Sequence, residues 1–301
     1  MSLSVAELTN SPVFAHILRH LAGSMREVYD ESPRLARTLA THQRWLMSQG
    51  AYALYLERDP DNPAVGMTVS RLRDLVVSNG IASRNTVQSY VEELLTYRFI
   101  RHMPDTNLKR PRPLEPTDIT KVAMLRWFSS NIAALDVYDD GRRAETLERL
   151  PKIFELAQPR VARACIAHPG WRDPPEDVAL FMWTDAGGLV VDEFFARLDL
   201  DAGIDGRYDI GRVDARALAE HFMMSRTHLQ RLLKKSVENG SFGWQDAKKT
   251  RMWMSGNFIE RYCAWQAIKF SIVDEAYEWA LGQVQSATEK AANAVATAAE
   301  V

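Results

Sequence analysis

Two short segments of the chain carry side chains that can read the edges of DNA bases. Arg, Asn and Gln are the residue types that pair bidentately with guanine or adenine in the major groove. In each segment they directly follow a serine, at spacings that place most of them on one face of a helix. The candidate DNA-binding residues are Ser83, Arg84, Asn85, Gln88 and Ser89 in the first segment, and Arg226, Thr227, His228, Gln230, Arg231 and Lys234 in the second.

Both segments have the pattern of a capped amphipathic helix. Ser83 and Ser225 are predicted N-caps, because a serine hydroxyl can accept a hydrogen bond from an unpaired N–H of the first turn. Apolar residues then recur on the opposite face at helical spacing. They are Val87, Val91, Leu94 and Leu95 in the first helix, and Leu229, Leu233 and Val237 in the second. A further helix and a tight turn precede each one, which predicts two helix-turn-helix units.

The repeat extends downstream of both predicted helices. Each is followed by a short apolar pair, a basic stretch and a new helix, which opens at Thr117 or Ser255 and has a tryptophan ten residues on, Trp127 or Trp265. Clustered positive charge on a short hairpin suits contact with phosphate or a narrow minor groove. The basic residues are Lys109, Arg110 and Arg112 in the first copy, and Lys248, Lys249 and Arg251 in the second. We interpret residues 38–138 and 177–281 as two copies of one module.

This module resembles the winged-helix fold of the MarR-type bacterial transcription regulators. The most specific part lies in residues 105–117, where Asp105, Arg112-Pro113 and Thr117 look like the wing motif of that family. Asp246, Arg251 and Ser255 look like a shortened version. The resemblance implies duplex DNA binding, with the second helix in the major groove and the wing against the backbone or minor groove. Family members usually carry one module and dimerise, so two divergent modules in one chain depart from the pattern.

The expected fold class is mainly α, with tandem winged helix-turn-helix modules, short β-wings and a helical connector. Residues 1–140 are assigned to N-terminal helices and the first module, 141–172 to the connector, 173–285 to the second module with a C-terminal helix, and 286–301 to an Ala-rich tail expected to fray. Pro151 and Pro159 are predicted to interrupt the connector helices. Ser32-Pro33 is predicted to start a helix that runs toward Glu57. Strands are expected only in the two wings and in a short third strand beside each.

Charge and cysteine content narrow the class of protein. The net charge of −2 and the pI of about 6.4 argue against a protein that coats nucleic acid over its whole surface. Residues 226–251 nevertheless hold seven Lys or Arg against two acids, whereas residues 84–126 hold eight against five. Two cysteines favour a reducing compartment. With no signal-peptide pattern and no run of apolar residues long enough for a bilayer, the expected location is cytoplasmic, without membrane contact.

Other chemistry has weaker support in the sequence. No Ser/His/Asp set, phosphate-binding Gly-rich loop or paired acid and base is evident, so neither an enzyme nor a cofactor is predicted. His16 and His20 have the spacing of a helical metal pair but lack a third ligand, so no metal site is predicted. Trp253, Trp265 and Trp279 suggest a ligand cage, although tryptophans at such spacing more often fill a core.

The hypothesis from sequence is a sequence-specific, double-stranded DNA-binding transcription regulator. Its two reading helices would enter successive major grooves about 34–36 Å apart, in a monomer acting as a pseudo-dimer or in a homodimer. A small-molecule effector is possible. One alternative is a plasmid-type replication initiator with tandem winged helices. The other is a protein–protein adaptor that has lost DNA binding, for which Glu92, Glu93 and the acidic total are the best support.

Overall fold

The computed structural model describes residues 2–59, 61–62, 65–104 and 112–299. The chain is mainly α, with two small antiparallel sheets. The chain begins with three helices: α1 (Val5–Asn10), α2 (Pro12–Glu31) and α3 (Pro33–Thr38). The two parts that follow them, on either side of a helical connector, are called the first and the second half. The predicted start at Ser32-Pro33 is confirmed, but the helix does not continue toward Glu57. It ends at Thr38, because the Thr41 side chain caps a new helix by accepting a hydrogen bond from Arg44 N at 3.2 Å.

The first half contains a helix-turn-helix unit followed by a hairpin. Its elements are α4 (His42–Leu56), α5 (Val69–Ser78), α6 (Arg84–Thr96), β1 (Ile100–His102), β2 (Leu114–Pro116) and α7 (Asp118–Asp139). Strands β1 and β2 pair antiparallel, with Arg101 opposite Glu115. The expected third strand is reduced to one bridge, in which Leu114 N donates to Met67 O at 2.8 Å.

The connector consists of α8 (Arg143–Arg149), α9 (Lys152–Ala167) and α10 (Pro169–Arg172). Pro151 lies at the N-cap of α9, but the predicted interruption at Pro159 is wrong. Proline removes one backbone donor and strains the preceding turn, so such a helix needs support from its surroundings. That support comes from packing, since α9 lies between α4 and α15 with most of its apolar side chains buried.

The second half repeats the order of the first with a larger sheet. Its elements are α11 (Glu176–Met182), α12 (Gly187–Ala196), β3 (Arg207–Arg212), α13 (Ala215–His221), α14 (Arg226–Glu238), β4 (Phe242–Trp244), β5 (Arg251–Ser255) and α15 (Gly256–Ala299). The strands are ordered β3-β5-β4, with a register shift between Asp209 and Gly211. Helix α15 continues through the described part of the Ala-rich tail, where the side chains of residues 285–293 are exposed.

One hydrophobic core runs through both halves. Helix α2 packs against α12 of the second half and α7 of the first, and α9 joins α4 to α15. The two helix-turn-helix units are therefore attached to a shared helical body. Within the described ranges, no helix combines the length and apolar character needed to cross a membrane.

Candidate nucleic-acid interface

Helices α6 and α14 are the second helices of the two units, and their local structure is the same. Each has 13 residues. Ser83 Oγ accepts from Thr86 N at 3.2 Å, and Ser225 Oγ accepts from His228 N at 3.2 Å. Both predicted N-caps are therefore confirmed. The apolar stripes face the core, although Leu95 and Val237 at their ends are only half-buried.

The opposite faces of these helices are open to solvent. Every candidate residue on them is exposed, namely Ser83, Arg84, Asn85, Gln88 and Ser89 on the first, and Arg226, Thr227, His228, Gln230, Arg231 and Lys234 on the second. The fold thus presents the base-reading residue types on the outside of both units. Exposure meets the geometric requirement for a contact with duplex DNA.

The turns that lead into α6 and α14 use the same backbone conformation with different residues. Gly80 has a φ of +67° and Met223 a φ of +51°. In each case the next residue donates its N–H back to the preceding helix, from Ile81 to Val76 O at 3.0 Å and from Met224 to Ala219 O at 2.9 Å. Glycine adopts this left-handed region without steric cost, whereas methionine does not.

The outer face of α6 is poor in positive charge. Arg84 is its only basic residue. Gln88 Nε2 donates to Glu92 Oε1 at 2.8 Å, which leaves an acidic group beside the proposed reading face. The Arg44 guanidinium donates to both Glu93 carboxylate oxygens, at 2.9 and 2.8 Å, so that acid is bound within the first half.

The outer face of α14 is strongly basic. It holds Arg226, Arg231, Lys234 and Lys235 against one acid, Glu238. Lys234 Nζ lies 3.6 Å from Glu238 Oε1. The pair is exposed, so its attraction is weak and gives way readily to a stronger anion such as phosphate.

The two hairpins also differ. In the first, Arg112 is exposed, whereas Lys109 and Arg110 lie outside the described residues. In the second, Lys248 and Lys249 are exposed on a turn that Asp246 holds closed. Although desolvation acts in the opposite direction, hydrogen bonds from Arg251 N and from Thr250 lower the pKa of Asp246.

Arg251 differs from the neighbouring lysines because its guanidinium already has a partner. It forms an ion pair with Asp209 on β3. Partial burial tends to raise the pKa of Asp209, but hydrogen bonds from Gly211 N and from Arg251 outweigh it and hold the pKa below its usual value. Contact between Arg251 and a phosphate would have to compete with this pair.

The two helix-turn-helix units are neighbours on the molecular surface. Glu93 of α6 and Tyr97, which follows that helix, line the same groove as Met223, which precedes α14. Helices α2 and α3 hold the second unit there, since Tyr29 Oη donates to His221 O at 2.8 Å and Arg37 Nη1 donates to Phe222 O at 3.0 Å.

Comparison with protein-family models, curated proteins and solved structures gave no match. In the described part of the chain, no group of three or more His, Cys, Asp or Glu residues is placed to hold a metal ion.

The three tryptophans considered as a cage do not come together. Arg207 stacks over Trp253, and Arg160 stacks over Trp279, at 4.7 and 5.0 Å from the ring centres. Trp265 instead stacks on Trp171 at 4.2 Å, within an aromatic group that also contains the buried His42 and the half-buried Trp45 and Trp127. Sequence spacing offers no signal for this group, because its members come from four different helices.

Proposed function

We propose that the chain is a sequence-specific, double-stranded DNA-binding transcription regulator built from two winged-helix modules of MarR-like type. The observation that carries the proposal is the pairing of identical local structure with exposed polar faces on α6 and α14. In each, a serine cap and a buried stripe fix which side chains face outward. Arg, Asn and Gln on those faces have the hydrogen-bonding geometry for base edges.

The two modules contribute unequally to the affinity for DNA, because they differ in basic charge. Helix α14 and the turn with Lys248 and Lys249 both carry exposed positive charge, which suits base edges and phosphates. Helix α6 has only Arg84 for this purpose, so the first module contributes less to affinity. Because the two faces differ, the two half-sites differ as well, and one chain can act as a pseudo-dimer. Cys165 and Cys263 are free and buried, which agrees with action in a reducing cytoplasm.

Selection from a random duplex library, followed by fluorescence anisotropy on the enriched sequence, tests this proposal. We expect enrichment of an asymmetric site and a salt-dependent affinity. The informative variant reverses charge on α14 with Arg231→Glu and Lys234→Glu. The matched control is Arg216→Glu with Glu220→Arg on α13, since this pair is also exposed and sits on a helix of the same unit. Absence of enrichment, or equal affinity for both double variants, would contradict the proposal.

The acidic face of α6 favours a second candidate, an adaptor in which this module contacts a protein. Exposed Glu92 next to Gln88 suits a basic protein surface better than a phosphate backbone. Substituting Glu92→Lys separates the candidates. If α6 contacts DNA, the added positive charge strengthens non-specific DNA binding and steepens its salt dependence. If α6 binds protein instead, neither quantity changes.

A further inference from the structure

A cavity of about 510 Å³ lies between the two halves of the molecule. Helices α2 and α3 contribute to its wall, together with α4 and α7 of the first half and α12 and α15 of the second. Most of the residues that line it are apolar, and its volume falls within the range of small-molecule sites. The cavity is separate from the exposed faces of α6 and α14, none of whose candidate residues lines it.

One side of the cavity is a rigid aromatic wall. Trp171 and Trp265 stack at 4.2 Å between ring centres, and Trp45 meets Trp127 edge-on at 5.5 Å. The backbone carbonyl of Trp171 holds the rings of Trp265 and His42 in place. It accepts a hydrogen bond from Trp265 Nε1 at 3.0 Å and lies 2.9 Å from His42 Nε2. Burial lowers the pKa of His42 to about 4, so this ring is neutral near pH 7. Such a wall suits a flat aromatic ring.

Two opposite charges line the same cavity without pairing directly. Asp192 on α12 accepts a hydrogen bond from Tyr262 Oη at 3.3 Å. Lys269 on α15 is 6% exposed, and its Nζ lies over the Phe270 ring, 4.5 Å from the ring centre, rather than in an ion pair with Asp192. Burial raises the pKa of Asp192 to about 6 and lowers that of Lys269 to about 8. Each of the two groups favours the charged form of the other, but charges in an apolar site remain costly unless close partners compensate them.

Further polar atoms belong to the lining residues. Asn131 Oδ1, Trp171 Nε1 and Gln266 Oε1 are buried and have no hydrogen-bond partner within the described chain. Buried polar atoms are rarely left in this state, so each one needs an explanation. Polar and charged side chains set in a mostly apolar lining are characteristic of a site that recognises a polar aromatic molecule rather than a purely apolar one.

We propose that this cavity binds a planar aromatic zwitterion of the size of an aromatic amino acid or somewhat larger. The ring of the ligand lies against the tryptophan wall, its cationic group faces Asp192, and its carboxylate faces Lys269. Access lies beside the Glu31–Arg126 ion pair, where Ile119 and Val122 of α7 line the cavity and are 46% and 53% exposed. Binding at this site does not depend on DNA binding.

Three matched probes test the charge requirement by isothermal titration calorimetry. L-tryptophan carries both charges, tryptamine only the cation, and indole-3-propionate only the anion. We expect L-tryptophan to bind about tenfold more tightly than either of the other two. Tryptamine lacks the carboxylate that would bond to Lys269, and indole-3-propionate lacks the ammonium group that would bond to Asp192. Equal affinity of all three, or no binding of any of them at millimolar concentration, would overturn the proposal.

Two neutralising variants assign the charges to residues. Lys269→Met should lower the affinity for L-tryptophan about tenfold and leave the affinity for tryptamine unchanged. Asp192→Asn should also lower the affinity for L-tryptophan about tenfold, but leave the affinity for indole-3-propionate unchanged. Trp279→Phe is the matched control, because Trp279 lies on α15 outside the cavity. This variant should bind all three probes as the wild type does. Melting curves establish that each variant is folded. Folded variants that bind L-tryptophan as tightly as the wild type would overturn the assignment of the site.

Discussion

The two helix-turn-helix units share a backbone and differ in the surface that it carries. Residues 142 positions apart have the same structural roles. Ser83 caps α6 and Ser225 caps α14, and Val87 and Leu229 are fully buried on the inner faces of these helices. Both second helices have the same length. This local structure depends on a hydroxyl acceptor at the first turn and an apolar stripe, and both units have these features.

The outward faces of the two second helices differ much more. Helix α14 has four basic residues and one acid, whereas α6 has one basic residue and two acids. Exposed positions tolerate such changes with little effect on stability. The comparison shows that a shared helix-turn-helix backbone can carry surfaces of different charge. We therefore expect the two units to contribute unequally to the proposed DNA binding.

The largest expected effect is on stability and tests whether both helices bury the same face. Leu229→Ala should lower the free energy of unfolding by about 2–5 kcal/mol, and Val87→Ala by about 1–3 kcal/mol, because each removes a fully buried side chain. Urea denaturation followed by circular dichroism measures both. The adjacent exposed positions are the controls, and Gln88→Ala and Gln230→Ala should each change stability by less than about 0.5 kcal/mol. A control as damaging as its buried neighbour would show that the two faces have been assigned the wrong way round.

The next effect is on DNA binding and tests whether the units contribute unequally. Arg226→Ala should weaken binding to the selected site by about 1–3 kcal/mol if this arginine reads a base. Arg84→Ala, at the equivalent position of α6, should cost about 1 kcal/mol or less, because the acidic group of Glu92 weakens the attraction of that face for DNA. Fluorescence anisotropy measures affinity, and both melting temperatures should stay unchanged because both side chains are exposed. An equal loss for the two variants would remove the asymmetry proposed between the units.

The features predicted correctly from sequence are those set by neighbouring residues. A cap and the backbone N–H that donates to it lie three residues apart, and an apolar stripe repeats within two turns, so both caps and both buried stripes follow from the local pattern. The helix through Pro159 does not, because it depends on packing between α4 and α15.

Pairing between distant residues also lies beyond the local pattern. Arg251 meets Asp209 from 42 residues away, and Arg44 meets Glu93 from 49 residues away. Both pairs change the charge available to a ligand. The aromatic wall is a stronger case, since Trp45, Trp127, Trp171 and Trp265 come from four helices that tertiary packing brings together.

A smaller effect concerns the turns before α6 and α14. Met223→Gly should raise the free energy of unfolding by about 0.5–1 kcal/mol, because glycine relieves the positive φ at that position. Gly80→Ala should lower it by about 1 kcal/mol through the backbone alone, since a Cβ at Gly80 would meet no atom within 4 Å. Thermal melts compare these variants with Met223→Ala, which shortens the side chain but keeps the strain. If Met223→Gly and Met223→Ala have the same stability, the turn of the second unit is not strained.

The smallest effect distinguishes residues within the second hairpin and compares it with the first. Neutralising a residue that contacts a phosphate should flatten the slope of log K against log salt concentration by about 0.9. We expect that change for Lys248→Ala, and a smaller one for Arg251→Ala because Asp209 already holds the guanidinium. Asp209→Asn should release Arg251 and strengthen non-specific binding.

Anisotropy across a salt series, on the selected site and on random duplex, measures these slopes and also that of Arg112→Ala in the first hairpin. A full change for Arg251→Ala would mean that the pair with Asp209 breaks on DNA. Unchanged slopes for Lys248→Ala, Arg251→Ala and Arg112→Ala, with normal folding, would mean that neither hairpin faces DNA, and the adaptor would then become the better account of both modules.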